Sequence, residues 1–213
     1  ASLSYRPISL LSPASKVLER CLLPFFNASL RLAPTQHGFR SNRSTTSALL
    51  PLVTRIASGL NEKKPPQRTA TVAIDISKAF ERVNHPLLLA AITATDLHPN
   101  LVHWVAAFLR GRQSCVTWQG STSGWRICRT GVPQGSVLGP VLFNFFVSDC
   151  PVEQPSFADD FTFSRSGVNL DELERGLQQD LDSVCAWAAA KKLVVAPSKC
   201  TITYFTPDKA REA

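Results

Sequence analysis

QPSFADDFTFS, residues 154–164, sets two aspartates side by side between strand-forming residues. Adjacent carboxylates repel, and the pair falls where a two-residue hairpin turn belongs. A turn accounts for an aspartate without any chemistry. Nine aspartates in 213 residues give roughly 0.4 adjacent pairs by chance, so the pair alone decides little. Phe157 and Phe161, one on each side of Ala-Asp-Asp, make a bare turn a less complete account.

A third carboxylate sharpens the question. In RTATVAIDIS, residues 68–77, Val72, Ile74 and Ile76 alternate with Ala73 and Asp75, which reads as a strand. Asp75 then ends a strand expected to be buried, where an unpaired carboxylate is costly or loses its charge. No Lys or Arg faces it at strand spacing, since Lys78 lies where the strand is already turning. One metal site shared by Asp75, Asp159 and Asp160 would answer both stretches. Mg²⁺ takes oxygen ligands and commonly combines one or two carboxylates with phosphate oxygens. The competing account makes Asp75 the N-cap of a following helix.

Around these stretches the pattern is mixed. Residues 12–32 read as a helix, with Val17, Leu18, Cys21, Leu22 and Phe25 at helical spacing. Residues 44–62 read as a second helix, interrupted by Pro51. EKKPPQR, residues 62–68, reads as a solvated loop and a boundary. Helices are expected over 86–95 and 99–110, and a hairpin from 114–120 to 124–130 across Ser-Thr-Ser. GSVLGPVLFNFFVSD is apolar all round, as in a buried helix. Residues 169–187 form the clearest helix, with an Asn169–Glu172 capping box and one stripe of Leu170, Leu173, Leu177, Leu181 and Val184. A last strand covers 200–205. Strands without regular β-α alternation favour an α+β fold.

Composition excludes several classes. Hydrophobic residues make up 44% and charged residues 18%, a globular balance with enough chain for a sizeable core. The longest apolar run is broken by Gly139, Pro140 and Asn144, and no signal peptide opens the chain, so a soluble intracellular protein is expected. The chain has no methionine, which suggests an internal piece of a longer polypeptide. Six cysteines lack zinc spacing and are expected as scattered buried thiols. The net charge of +7 is lopsided: residues 1–70 hold ten Lys or Arg against two Glu. Such asymmetry suits a polyanionic partner, or a solvated basic face.

In order, YRPISLLSPASKVLER, QHGFRSNRSTTSAL, AIDISKAFERVNH, GVPQGSVLGPVLFNFFVSD, FADD and AWAAAKKLVVAPSKC resemble the fingers and palm motifs of reverse transcriptases, specifically the non-LTR (LINE-type) retrotransposon branch. The resemblance spans about residues 5–205. It implies a right-hand polymerase fold, fingers over 1–67 and palm over 68–213, the palm an antiparallel sheet packed on helices. The thumb, its primer-gripping hairpin and the endonuclease of such elements are not expected within these residues.

The resemblance also implies roles. Asp75 and Asp159 would be the main metal ligands, with Asp160 and the Ile76 carbonyl completing the set for two Mg²⁺ ions, or Mn²⁺. Phe80 would block the ribose 2′-OH of an incoming nucleotide, penalising ribonucleotides. Backbone N–H groups of Lys78 and Ala79 would hold the triphosphate. Gln134 and Gly135 would line the nucleotide and template pocket, Gly allowing close backbone approach. Lys199 would protonate the departing pyrophosphate, Arg6 would reach the phosphates, and Arg40 would touch the template backbone. Taken singly, Phe80 reads as a core aromatic, Gln134-Gly135 as a turn and Lys199 as surface.

Two departures stand out: Phe157 replaces a common Tyr, and Ala196 replaces a frequent Asn. The implied activity is RNA-directed DNA polymerisation, with an RNA template, a DNA primer and dNTPs as partners and no membrane. Synthesis would be cytoplasmic and integration nuclear, within a larger polyprotein. An RNA-templated RNA polymerase is disfavoured by Phe80. A non-catalytic nucleic-acid-binding remnant is the reading from another class.

Overall fold

The computed structural model of the chain describes residues 8–63, 65–152 and 155–207. These fall into two compact units, each discontinuous in sequence. One takes the described residues up to Leu32 and Lys78–Ser148; the other takes Ala33–Ser77 and the described residues from Asp149 onward.

The second unit is built on a four-stranded antiparallel sheet. Its strands are β1 (Arg68–Asp75), β6 (Ser156–Phe157), β7 (Asp160–Gly167) and β8 (Thr201–Phe205), in the order β6-β7-β1-β8. β1 is central and pairs with β7 from Arg68↔Gly167 to Asp75↔Asp160. Paired residues of an antiparallel ladder share a face. Val72 and Ile74 therefore lie beside Phe163 and Phe161, an apolar face. Helix α6 (Leu170–Ala190) covers it, tilting Trp187 against Phe161 at 5.8 Å between ring centroids. The opposite face is polar: Thr69, Thr71 and Asp75 pair with Ser166, Ser164 and Asp160. Helix α2 (Thr45–Asn61) lies on it, with Gly59 next to Thr69: a Cβ there would meet Thr69 Oγ1 at an ordinary contact distance of 3.5 Å. A two-faced central strand explains why β1 is buried along most of its length despite its alternating pattern.

Pro51 does not interrupt α2, which runs through it from a Ser44–Ser47 capping box. The N–H that proline lacks costs one helix bond, and the cap and the packing on the sheet hold the rest. In α6, Asn169 caps through the N–H groups of Asp171 and Glu172, as expected of that residue.

The other unit is helical. Helix α1 (Pro13–Ser29) joins α3 (His85–Thr93), α4 (Pro99–Leu109) and α5 (Gly139–Phe146) around Phe26, Leu88, Val105, Leu142 and Phe146, all fully buried. Each of the four begins with proline in its first turn, where the missing N–H costs nothing. That placement is why Pro140 starts α5 rather than breaking it.

Helix α1 turns a different face inward from the one its apolar spacing suggests. Val17, Leu18, Cys21 and Phe25 are exposed, whereas Glu19 and Phe26 are buried. The cause is polar. Glu19 Oε2 accepts the N–H groups of Val137 (2.8 Å) and Leu138 (3.0 Å) at the entry to α5, and Ser15 Oγ donates to Glu19 Oε1. A carboxylate at a helix N-terminus satisfies donors that would otherwise be orphaned, and that requirement outranks the stripe.

Between α4 and α5 run four two-residue strands: β2 (Gln113–Ser114) with β5 (Arg126–Ile127), and β3 (Thr117–Trp118) with β4 (Ser121–Thr122). The turn sits at Gln119-Gly120, both at positive φ, not across Ser-Thr-Ser. Glycine adopts that conformation without strain, so it sets the turn. No helix of the described residues is long and apolar enough to cross a membrane. The cysteines are free thiols; Cys21 and Cys185 are exposed and the others half-buried, so none is the buried thiol expected. Burial pushes the Cys150 thiol up from its ordinary value.

Candidate functional site

The sheet unit brings two of the predicted carboxylates together. Asp75 ends β1, Asp160 begins β7, and the two are direct cross-strand partners. Like charges placed opposite one another in a sheet are unfavourable without a cation. Asp159 stands beside them in the two-residue turn that joins β6 to β7. Asp75 is a strand residue, so the N-cap account of it is withdrawn.

A cation does reach Asp75 from far along the chain. Lys199 Nζ lies 3.1 Å from Asp75 Oδ2, across 124 residues of sequence. Backbone pairing delivers it. Ser77 N–H donates to Val194 O, Ile76 bridges Val195, and Ala196 N–H donates to Asp75 O at 2.9 Å. The tight turn Pro197–Lys199 then places the lysine over the strand end. The lysine side chain is 63% exposed and the aspartate 24%, so the pair is a loose, solvated one. The absence of a cation at strand spacing was real; the cation comes instead from a neighbouring segment. Ile76 is 3% exposed beneath this pairing.

The turn carrying Asp159 is held by a residue that sequence reasoning missed. Gln36 is 2% exposed, and its Oε1 accepts the N–H groups of Ala158 (2.9 Å) and Gly38 (2.8 Å). Its Nε2 donates to Ala158 O at 3.0 Å. One amide thus grips both backbone groups of the residue before Asp159. Ala158 sits at φ 57, a left-handed conformation that a non-glycine residue keeps only when its surroundings hold it. Gly38 comes so close that a Cβ would clash with the Ala158 backbone N. The only sequence hint was a Gln-x-Gly spacing in QHGFR. Arg40 of the same motif spends its Nη1 on the carbonyls of Ala33 (2.8 Å) and Gln36 (3.3 Å), bracing this loop. Burial, then Arg43, holds its guanidinium below the ordinary value.

The remaining predicted residues belong to the helical unit. Phe80 is 9% exposed and stacks on Phe143 with centroids 4.5 Å apart. Lys78 is exposed at φ 51, and its carbonyl accepts the N–H groups of Glu81 and Arg82, making a tight turn. Ala79 is buried. The Gly-Val-Pro-Gln-Gly segment docks on that turn: Val132 N–H donates to Phe80 O and Gly131 N–H to Val83 O, both at 2.8 Å. Gln134 O accepts the Ser9 N–H at 2.7 Å, and Gly135 sits at φ 110 with Ser9 O 2.9 Å from where a Cβ would be. Arg6 lies outside the described residues.

Among the described residues no three His, Cys, Asp or Glu side chains form a ready-made metal cluster. Two paired carboxylates and a third in the adjoining turn nevertheless offer hard oxygen donors, the kind Mg²⁺ takes while leaving positions for phosphates.

The chain matches the family described as reverse transcriptase (RNA-dependent DNA polymerase) over residues 2–212. It is 34% identical to a probable RNA-directed DNA polymerase from transposon BS of Drosophila melanogaster, over 95% of this chain and 24% of that protein. It is 33% identical to the RNA-directed DNA polymerase from mobile element jockey of Drosophila funebris, with the same coverage. A probable RNA-directed DNA polymerase from transposon X-element of Drosophila melanogaster is 31% identical over 95% of this chain and 23% of its own length. The chain therefore spans about a quarter of these relatives. Telomerase from Candida tropicalis, in complex with a fragment of telomeric RNA, superposes with a TM-score of 0.62 at 14% identity, over 90% of this chain and 34% of that one. The apo telomerase of the same organism gives 0.60, also at 14% identity, over 88% of this chain and 36% of its own. At such identity the likeness concerns fold alone, and it bears out the α+β fingers-and-palm expectation.

Proposed function

The chain belongs to the reverse transcriptase family, and from that premise we propose that it is the polymerising portion of a retrotransposon's RNA-directed DNA polymerase. The observation that carries the proposal is the pairing of Asp75 with Asp160 across β1 and β7, with Asp159 in the adjoining turn. The substrates in this reading are an RNA template, a DNA primer with a free 3′-OH and dNTPs.

Asp75, Asp159 and Asp160, with the Ile76 carbonyl, would hold Mg²⁺. When bound, the metal supplies activation of the attacking hydroxyl and stabilisation of the leaving pyrophosphate. The protein's own part is positioning. β1 and β7 fix two carboxylates in register, and Gln36 fixes the strained turn that presents the third. Lys199, already beside Asp75, is the mobile proton donor suited to the departing pyrophosphate, because an exposed ammonium can swing between acceptors. Phe80 is the candidate sugar discriminator: stacked on Phe143, its ring cannot retreat without breaking an aromatic pair. Lys78, Ala79, Gln134 and Gly135 are the candidate nucleotide contacts, each on a tight backbone turn or next to one. The fingers assignment of 1–67 and the palm assignment of 68–213 belong to the same proposal, as does nuclear action at an integration site.

The test is primer extension by the full-length protein on poly(rA)/oligo(dT) with dTTP and Mg²⁺. Extension that copies the RNA template supports the proposal. A folded protein that binds the template-primer and adds no nucleotide under these conditions sinks it.

A further inference from the structure

Between Asp96 and Asp149 the chain contains no acidic residue, yet it contains four arginines, Arg110, Arg112, Arg126 and Arg129. All four flank or sit within the small β2–β5 and β3–β4 strands that project between α4 and α5. Arg110, Arg126 and Arg129 are exposed. Arg112 anchors the base instead: its carbonyl accepts the Cys128 N–H at 2.8 Å, and its guanidinium lies 5.3 Å from the Phe108 ring centroid. Large apolar side chains share the exposed surface, with Trp125 69% and Trp118 56% exposed, beside Val116 and Ile127 at 61% each.

Such an arm is poorly explained as a fold element. Two-residue strands contribute little stability, and large apolar side chains left this exposed on a hairpin are more than folding requires. Ordinary soluble surfaces intersperse both signs of charge; the charged side chains within this segment are all arginines. Unbalanced arginines with accessible indoles are the chemistry that takes single-stranded nucleic acid, guanidinium groups meeting phosphates and aromatic rings stacking on bases. A protein partner matched to apolar side chains alone would leave the arginines unexplained.

We propose that the Arg110–Arg129 arm is a binding surface for single-stranded nucleic acid, contributed by residues outside the carboxylate motifs. The inference rests on the polymerase reading only for the chemistry of the partner.

The experiment measures binding of fluorescent (rU)20 and (dT)20 to the full-length protein by anisotropy, without Mg²⁺ or dNTPs, over a range of salt concentrations. Trp118→Ala/Trp125→Ala is expected to weaken binding about tenfold or more, with Trp118→Phe/Trp125→Phe largely restoring it. Arg126→Gln/Arg129→Gln is expected to flatten the slope of log affinity against log salt by about 1.4. A loss shared by both oligonucleotides assigns the arm to either strand type; a loss confined to (rU)20 assigns it to RNA. Asp159→Asn is the reference variant and is expected to bind as the parent does. Loss of extension in that variant with arm-dependent binding intact separates the two proposals. Binding within twofold of the parent and an unchanged salt slope in both arm variants overturn this one, including where the arm docks on protein instead. Should the tryptophan pair fail to fold, the arginine pair decides alone.

Discussion

At the scale of single residues, the site is a problem in charge. Asp75 and Asp160 face one another, and Lys199 meets Asp75 at 3.1 Å. A cation arriving between the carboxylates competes with that ammonium. Lys199→Gln should therefore tighten Mg²⁺ binding, by up to about fivefold given how exposed the pair is. Titration calorimetry without nucleotide checks it, and Lys192→Gln is the matched control. Unchanged affinity would show that Lys199 does not contest the site. Phe80 raises a steric question. Phe80→Val removes the ring stacked on Phe143 and should admit ribonucleotides. Competing rUTP against dTTP in primer extension reads the outcome, and unchanged sugar preference removes Phe80 from the role.

At the scale of elements, the residues around Gln36 and the β6–β7 hairpin behave as one piece. His37 N–H donates to Ser156 O and Ser156 N–H to Thr35 O, so this loop zips onto β6 while Gln36 grips Ala158. Gln36→Ala would orphan two buried N–H groups and a carbonyl, at a cost of about 2–4 kcal/mol. Urea unfolding measures that loss. In extension kinetics the fall should appear in kcat more than in KM for dNTP, because the turn carries Asp159. Gln36→Glu keeps the acceptor but buries a carboxylate and turns one of its oxygens toward Ala158 O, so it should not restore the parent's stability. The same loop carries a pH dependence. Burial, followed by Arg43 and Arg40, holds His37 below its ordinary 6.5. The unfolded chain then binds the proton more readily, so stability is full above pH 6.5 and falls as pH drops below it. Urea midpoints at pH 7.5 and 5.5 should differ in that sense, and His37→Asn should narrow the gap.

At the scale of the whole molecule, local patterns were readable and distant pairings were not. The strand of Asp75, the hairpin around Asp159 and helix α6 announce themselves within ten or twenty residues, through alternation, turn chemistry and helical spacing, although the turn falls at Ala158-Asp159, one residue earlier than the aspartate pair, and Asp160 begins β7. Gln36 and Ala158 are 122 residues apart, and Glu19 and Leu138 are 119 apart. Nothing local marks either as a pair, since a buried glutamine or glutamate is identified only by the backbone donors it meets. Helix α1 shows the consequence: apolar spacing pointed to Val17 and Leu18, and a polar contact turned the helix the other way. Lys199 lay in the open as a motif residue, but its contact with Asp75 depends on the backbone pairing of residues 75–77 with 194–196. The family's catalytic order was legible because its motifs are contiguous; the supports that hold them come from elsewhere in the chain.

The central claim is that Asp75, Asp159 and Asp160 form one working site. Its most direct test is RNA-templated primer extension by the full-length protein with Asp159→Asn, a change that keeps shape and removes charge. Extension should fall about 10³-fold or more, with template-primer binding and the urea midpoint close to those of the parent. Extension at the parent's rate would contradict the account.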